Sequence, residues 1–146
     1  MTTLWDRDRN PRLLVVEGDI DIANMLKIYF APIADVTIAA RPEQALALYF
    51  QDLFDLIILD LEAPGLDAYE FMRSIRTSER KVPTLFLTTT VKRSDKLQGL
   101  EIEEDDYITK PFDIEELRLR IRGILNRLAG DTTTDAPPPE KRKKGK

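Results

Sequence analysis

The sequence predicts one α/β domain, an open, doubly wound sheet of five parallel strands between two layers of helix. Three observations predict it. Five short apolar runs recur along the chain, each followed by an amphipathic segment. The strongest runs, LLVV, LIIL and TLFL, are continuous rather than alternating, which is the pattern of strands covered on both faces. A β-α order repeated five times also closes into a single open sheet when every crossover is right-handed.

The first strand is expected at Leu13–Val16. The helix after it places Ile22, Met25, Leu26 and Tyr29 at i, i+3, i+4 and i+7, a single buried stripe. The second strand, Val36–Ala39, leads to a helix with Pro42 in its first turn, where a missing N–H costs nothing, and with Ala45, Leu48 and Tyr49 inward. The third strand, Leu56–Leu59, is followed by a helix with the stripe Ala68, Phe71, Met72 and Ile75. After the fourth strand, Thr84–Thr88, the helical pattern over Arg93–Ile102 is the weakest, with only Leu97 and Leu100. The fifth strand is expected at Asp106–Ile108. Its helix begins at Asp113, an N-cap with Glu116 three residues on in the manner of a capping box. That helix carries Leu117, Ile121, Ile124, Leu125 and Leu128 and stops near Gly130.

Composition narrows the chemistry. With 146 residues there is room for one domain, expected at 12–129. Residues 1–11 read as an N-terminal extension, including Trp5, with no assigned role. Residues 130–146 read as a proline-rich linker and a basic tail. The chain has no cysteine and no histidine. That excludes disulfides, thiol catalysis, the usual zinc sites and any histidine base. No run approaches the roughly 20 apolar residues of a membrane helix, and MTTLWDRDRNPR lacks the apolar segment of a signal peptide. A soluble, cytoplasmic protein without membrane contact is expected. The tail KRKKGK holds five of the 22 basic residues, so residues 1–140 carry 17 basic against 26 acidic groups, a net of −9. An acidic folded domain is not built for direct contact with nucleic acid. The tail reads either as a solvated, disordered end or as a contact for nucleic acid, an acidic partner or a targeting receptor.

Ligands of an open parallel sheet bind outside the carboxyl ends of its strands. Glu17, Gly18 and Asp19 follow the first strand, Asp60 ends the third, Thr88 ends the fourth, and Lys110 with Pro111 follows the fifth. Each alone reads equally as a turn former, a cap or a solvated side chain. Together they bring carboxylates, a hydroxyl and an ammonium to one edge of the sheet. A carboxylate can attack phosphorus only when repulsion between anions is overcome. Lys110 and a divalent cation would supply that neutralisation, and Thr88 would donate to a phosphate oxygen.

The stretches LLVVEGD, LIILDLEAPGLDAYEFMRSIR, VPTLFLTTT and DDYITKPF resemble the receiver domain of bacterial two-component response regulators, over roughly Arg12 to Leu128. The resemblance implies a flavodoxin-like (βα)5 fold. It also implies a phosphoacceptor signalling domain rather than an enzyme, with at most slow self-dephosphorylation. A histidine kinase would be the phosphoryl donor and Mg²⁺ the cofactor. It implies that Asp60 is the acceptor, Thr88 the switch hydroxyl and Lys110 the phosphate-pairing lysine. Glu17, Asp19, Asp60 and Glu62 would surround the metal, Glu62 through its backbone carbonyl. Tyr107 would be the aromatic that follows Thr88, and the peptide before Pro111 would be cis. The face of helix four, strand five and helix five serves as a homodimer interface in receivers joined to winged-helix domains, and Lys96, Asp106, Glu116 and Arg120 match positions used there. The plainer reading of those four charges is solvation.

The sequence departs from that family at one position that bears on the metal. Most receivers carry two adjacent acids after the first strand, and the second is the direct ligand. Here Glu17 is followed by Gly18, which has no side chain to offer. Asp19 is one residue further on, and side chains alternate in direction along an extended chain. Weakened Mg²⁺ binding and slow phosphorylation are therefore expected. The alternative function is a pseudo-receiver that binds partners without phosphotransfer. Smaller departures are Ala68 for a common glycine, Thr89 for a small residue, and Glu103-Glu104 for a common Gly-Ala pair. A phosphoaspartate hydrolase of the haloacid-dehalogenase kind is a weaker rival, because its nucleophile follows the first strand. No nucleotide-binding glycine motif follows the first strand either.

Overall fold

A computed structural model of the chain describes residues 9–65, 67–78, 82–89 and 107–128. The elements run β1 (Arg12–Val16), α1 (Ile20–Phe30), β2 (Asp35–Ala39), α2 (Pro42–Gln51), β3 (Leu56–Asp60), α3 (Ala68–Arg76), β4 (Thr84–Thr88), β5 (Tyr107–Thr109) and α4 (Ile114–Leu128). The label α4 belongs to the helix expected after the fifth strand. The expected helix at 93–102 lies outside the described residues, as do Lys96, Asp106, Glu103, Glu104, Trp5 and the tail.

All five strands are parallel, in the order β2-β1-β3-β4-β5. The chain leaves β1 to one side for β2 and returns to the other side for β3. The reversal opens a crevice at the carboxyl ends of β1 and β3, between Val16 and Leu59, which are register partners.

The continuous apolar runs split by alternation into two cores. Leu14, Val16, Ile57, Leu59 and Phe86 pack with Ala45, Tyr49, Phe71, Met72 and Ile75 from α2 and α3. Leu13, Val15, Leu56, Ile58, Leu85 and Leu87 pack with Leu26 and Phe30 of α1 and with Leu117, Ile121, Ile124 and Leu125 of α4. Successive side chains of a strand point to opposite faces, so each run feeds both layers.

The α1 stripe differs from the expected one. Ala23, Leu26 and Phe30 are buried, whereas Met25 is exposed and Ile22 and Tyr29 are half-buried. Asp19 caps the helix, accepting from the N–H groups of Asp21 and Ile22 at 2.9 and 3.3 Å. At α4, Asp113 accepts from the N–H of Glu115 at 3.0 Å, but Glu116 turns along the helix to Arg120, 3.4 Å away, rather than back to its cap. The Tyr29 hydroxyl donates to Glu115, which also pairs with Arg118, and this ties α1 to α4.

At the opposite edge of the sheet, Asp55 is buried and fully engaged. It accepts from both terminal nitrogens of Arg9, at 3.0 and 2.9 Å, and from the N–H of Arg12 at 2.7 Å. A forked guanidinium is the natural partner for a buried carboxylate. Arg9 lies in the stretch read as an extension without a role, and here its guanidinium is held by Asp55 just before β3. No helix among the described residues is long and apolar enough to cross a membrane.

Candidate functional site

Four strand ends meet around Asp60. Its side chain is 6% exposed, and Oδ1 lies 3.2 Å from Lys110 Nζ. Asp60 Oδ1 also accepts from the N–H of Glu62 at 2.9 Å. On the β1 side, Glu17 Oε1 lies 3.3 Å from the same ammonium. Lys110 thus sits between two carboxylates. Its backbone N–H donates to the Thr88 carbonyl at 2.6 Å, and the Lys110–Pro111 peptide is cis. Lys110 also lines an open hollow of about 300 Å³ with Ile22, Met25, Thr89, Pro111 and Phe112.

Burial pushes Glu17 up to about 7. The Asp19 N–H, which donates to Glu17 Oε2 at 3.1 Å, resists that rise, and the charge of Asp60 adds to it. Glu17 Oε1 is buried and has the Lys110 ammonium, 3.3 Å away, as its ion-pair partner. Burial opposes the charge on Lys110, but Asp60 and Glu17 outweigh it and raise its pKa.

The sign of the stability effect follows. A carboxyl group whose folded pKa lies above its unfolded value of 4.5 favours the folded state when protonated. Its penalty is fully present above about 7 and is relieved as pH falls toward 4.5. Metal-free protein is therefore expected to gain about 1 kcal/mol between pH 8 and pH 6. Thermal melts in a chelator should show the rise, and Glu17→Gln should flatten it. Among the described residues, the effect of Lys110 on stability changes only above 10.5, and that of the lowered carboxylates Glu43, Asp52 and Glu115 only below 4.5, so of these groups Glu17 alone responds in this window.

Thr88 is fully buried at the end of β4. Its hydroxyl donates to the Glu62 side chain at 3.0 Å, and the N–H of Thr89 reaches both Glu62 oxygens at 3.2 Å. The role expected of Glu62 involves only its backbone; the side-chain contact joins it to residues 26 and 27 positions away, so no local sequence pattern signals it. Tyr107 is half-buried and pairs in register with Phe86. Glu116 and Arg120 pair with each other along α4.

Of the four residues carried over as surrounding a metal, Glu17 and Asp60 face one another across Lys110. The carboxylate of Asp19 is turned to its cap, and that of Glu62 to Thr88 and Thr89. Among the described residues no three acidic side chains are arranged to hold a metal ion. The pair Glu17 and Asp60, whose Oε1 and Oδ1 converge on Lys110 Nζ at 3.3 and 3.2 Å, still fits a Mg²⁺ ion that keeps most of its water.

A parallel sheet in this order, with an acidic residue, a lysine and a threonine at converging strand ends, matches the receiver type of α/β signalling domain. The family model for the response regulator receiver domain matches residues 13–122, and the chain belongs to that family. It is 38% identical over 118 residues to a probable transcriptional regulator, ycf27, of Porphyridium aerugineum, covering 80% of this chain and 49% of that protein. It is 32% identical over 126 residues to the transcriptional regulatory protein RprY of Bacteroides fragilis, covering 86% and 53%. The chain thus spans about half the length of the curated relatives it matches. Among solved structures, the receiver domain of a Francisella response regulator superposes with a TM-score of 0.70 at 33% identity, covering 81% of this chain and 98% of that one. The non-phosphorylated HemR receiver domain of Leptospira biflexa also gives 0.70, at 31% identity, with 80% and 94% covered.

Proposed function

We propose that the domain accepts a phosphoryl group on Asp60 from a histidine kinase and converts it into a change at a protein-binding face. The observation that carries this reading is Lys110 Nζ, 3.2 Å from Asp60 Oδ1 and 3.3 Å from Glu17 Oε1, where the ends of the strands converge. A carboxylate oxygen of Asp60 attacks phosphorus, an O–P bond forms, and the N–P bond breaks. The imidazole leaves with the bonding pair. Lys110 offsets charge on the phosphoryl oxygens throughout. Glu17 and Asp60 would hold Mg²⁺, which supplies further neutralisation when bound. A phosphoryl oxygen then takes the Thr88 hydroxyl, and Tyr107, packed beside Phe86, follows the change at β4.

Gly18 supports a second reading, a pseudo-receiver that docks without phosphotransfer. Acetyl phosphate with Mg²⁺, followed by intact mass, separates the two. The first reading expects a gain of one phosphoryl group that is abolished in Asp60→Ala. An unchanged mass leaves the docking module. Oligomerisation through the face bearing Glu116 and Arg120, and a location in the cytoplasm, remain part of this proposal. So does an acidic folded unit without nucleic-acid contact of its own, with output through partners.

A further inference from the structure

The chain wraps Glu62 around the acceptor. Its backbone N–H donates to Asp60 Oδ1 at 2.9 Å, while its carboxylate accepts from Thr88 Oγ1 at 3.0 Å and from the N–H of Thr89 at 3.2 Å. Asp60 pairs in register with Leu87, so Thr88 and Thr89 are the next residues outward on the neighbouring strand. A phosphoryl group on Asp60 would project past the strand ends, toward those two donors. They are already held by an anion.

We propose that Glu62 is a built-in occupant of the anion position beside Asp60, engaging the Thr88 hydroxyl and the Thr89 N–H that an incoming phosphoryl group must take. This rests on the phosphoacceptor reading above and adds its regulation. A resident carboxylate has two effects. It competes for the donors, and its charge repels a phosphoryl group for as long as it stays. It also engages the buried switch hydroxyl before any modification, so part of the Thr88 response is supplied from within the chain. Phosphorylation must therefore swing Glu62 outward, and the half-exposed turn at 61–62 leaves room for that movement. Glu62 acts here as a positioning residue, since it reaches the chemistry through Thr88 and Thr89.

The test uses the full chain, with Glu62→Gln and Glu62→Ala. In metal-free, unmodified protein, the Thr89 amide resonance is expected to move upfield in Glu62→Ala, with Glu62→Gln between it and wild type. Beryllium fluoride with Mg²⁺, as a phosphoryl mimic, is expected to bind both variants about tenfold more tightly, the effect of removing one charged competitor for a hydrogen bond. An unmoved Thr89 amide in Glu62→Ala overturns the contact. A moved amide with unchanged affinity overturns the competition while leaving Asp60 as acceptor. If wild type and both variants all fail to bind the mimic, the phosphoacceptor reading falls and takes this proposal with it.

Discussion

Gly18→Asp is expected to tighten Mg²⁺ binding by about 10–100-fold, at least the change that lesser alterations around a metal produce. Titration calorimetry of the intact chain measures it. The backbone accepts the substitution, because only Gly65 among the described glycines has positive φ. Space is the tighter constraint. A Cβ at position 18 would lie 3.1 Å from Pro64 Cδ and 3.6 Å from the Ala40 carbonyl oxygen. Pro64 is exposed on the turn that ends at Gly65, so a shift of a few tenths of an ångström is available to it. A third carboxylate beside Glu17 and Asp60 also adds repulsion in the absence of metal. The variant should therefore melt lower than wild type in a chelator and regain the difference in Mg²⁺. Equal affinity in the two proteins would mean that Gly18 is not what limits the metal site.

The sheet was legible in the sequence because its strands are buried on both sides. Runs such as LIIL can be satisfied only between two apolar layers, and Ile57 and Ile58 do enter different cores. The phase of α1 was not legible. Ile20, Ile22, Met25, Leu26, Ile28, Tyr29 and Phe30 put apolar groups nearly all round the helix, so periodicity does not choose a face. Contact with the β1–β3 face chooses Leu26 and Phe30, and Met25 is left at the rim of the hollow. Asp19 posed a choice between two local partners. Free N–H groups at the start of a helix are two and three residues away, and the cap is the geometry adopted. Glu62 was hidden for a different reason. Its partners come from another strand, and no local pattern brings residues 62, 88 and 89 together. The same holds for Arg9 and Asp55, which are 46 residues apart.

Phe86→Ala is expected to destabilise the domain by about 3–5 kcal/mol, a large share of the roughly 5–15 kcal/mol that holds a domain of this size together. Phe86 is fully buried in the middle of β4, packed with Ile57, Leu59 and Phe71. Truncation loses the burial of an aromatic ring and leaves a cavity between β4, α2 and α3 that the parallel ladder cannot collapse to fill. Urea melts at fixed pH measure the loss, and Phe86→Leu should cost well under half as much, since it retains most of the volume. The position also bears on signalling. Phe86 and Thr88 lie on one face of β4, and Phe86 opposes Tyr107 in register. Removing the ring opens space beside Tyr107 that does not depend on Thr88. In Phe86→Ala the Tyr107 ring should therefore respond less to beryllium fluoride than in wild type, as read by its ring-proton shifts. A full wild-type response in the variant would mean that Tyr107 takes its orientation from elsewhere than β4.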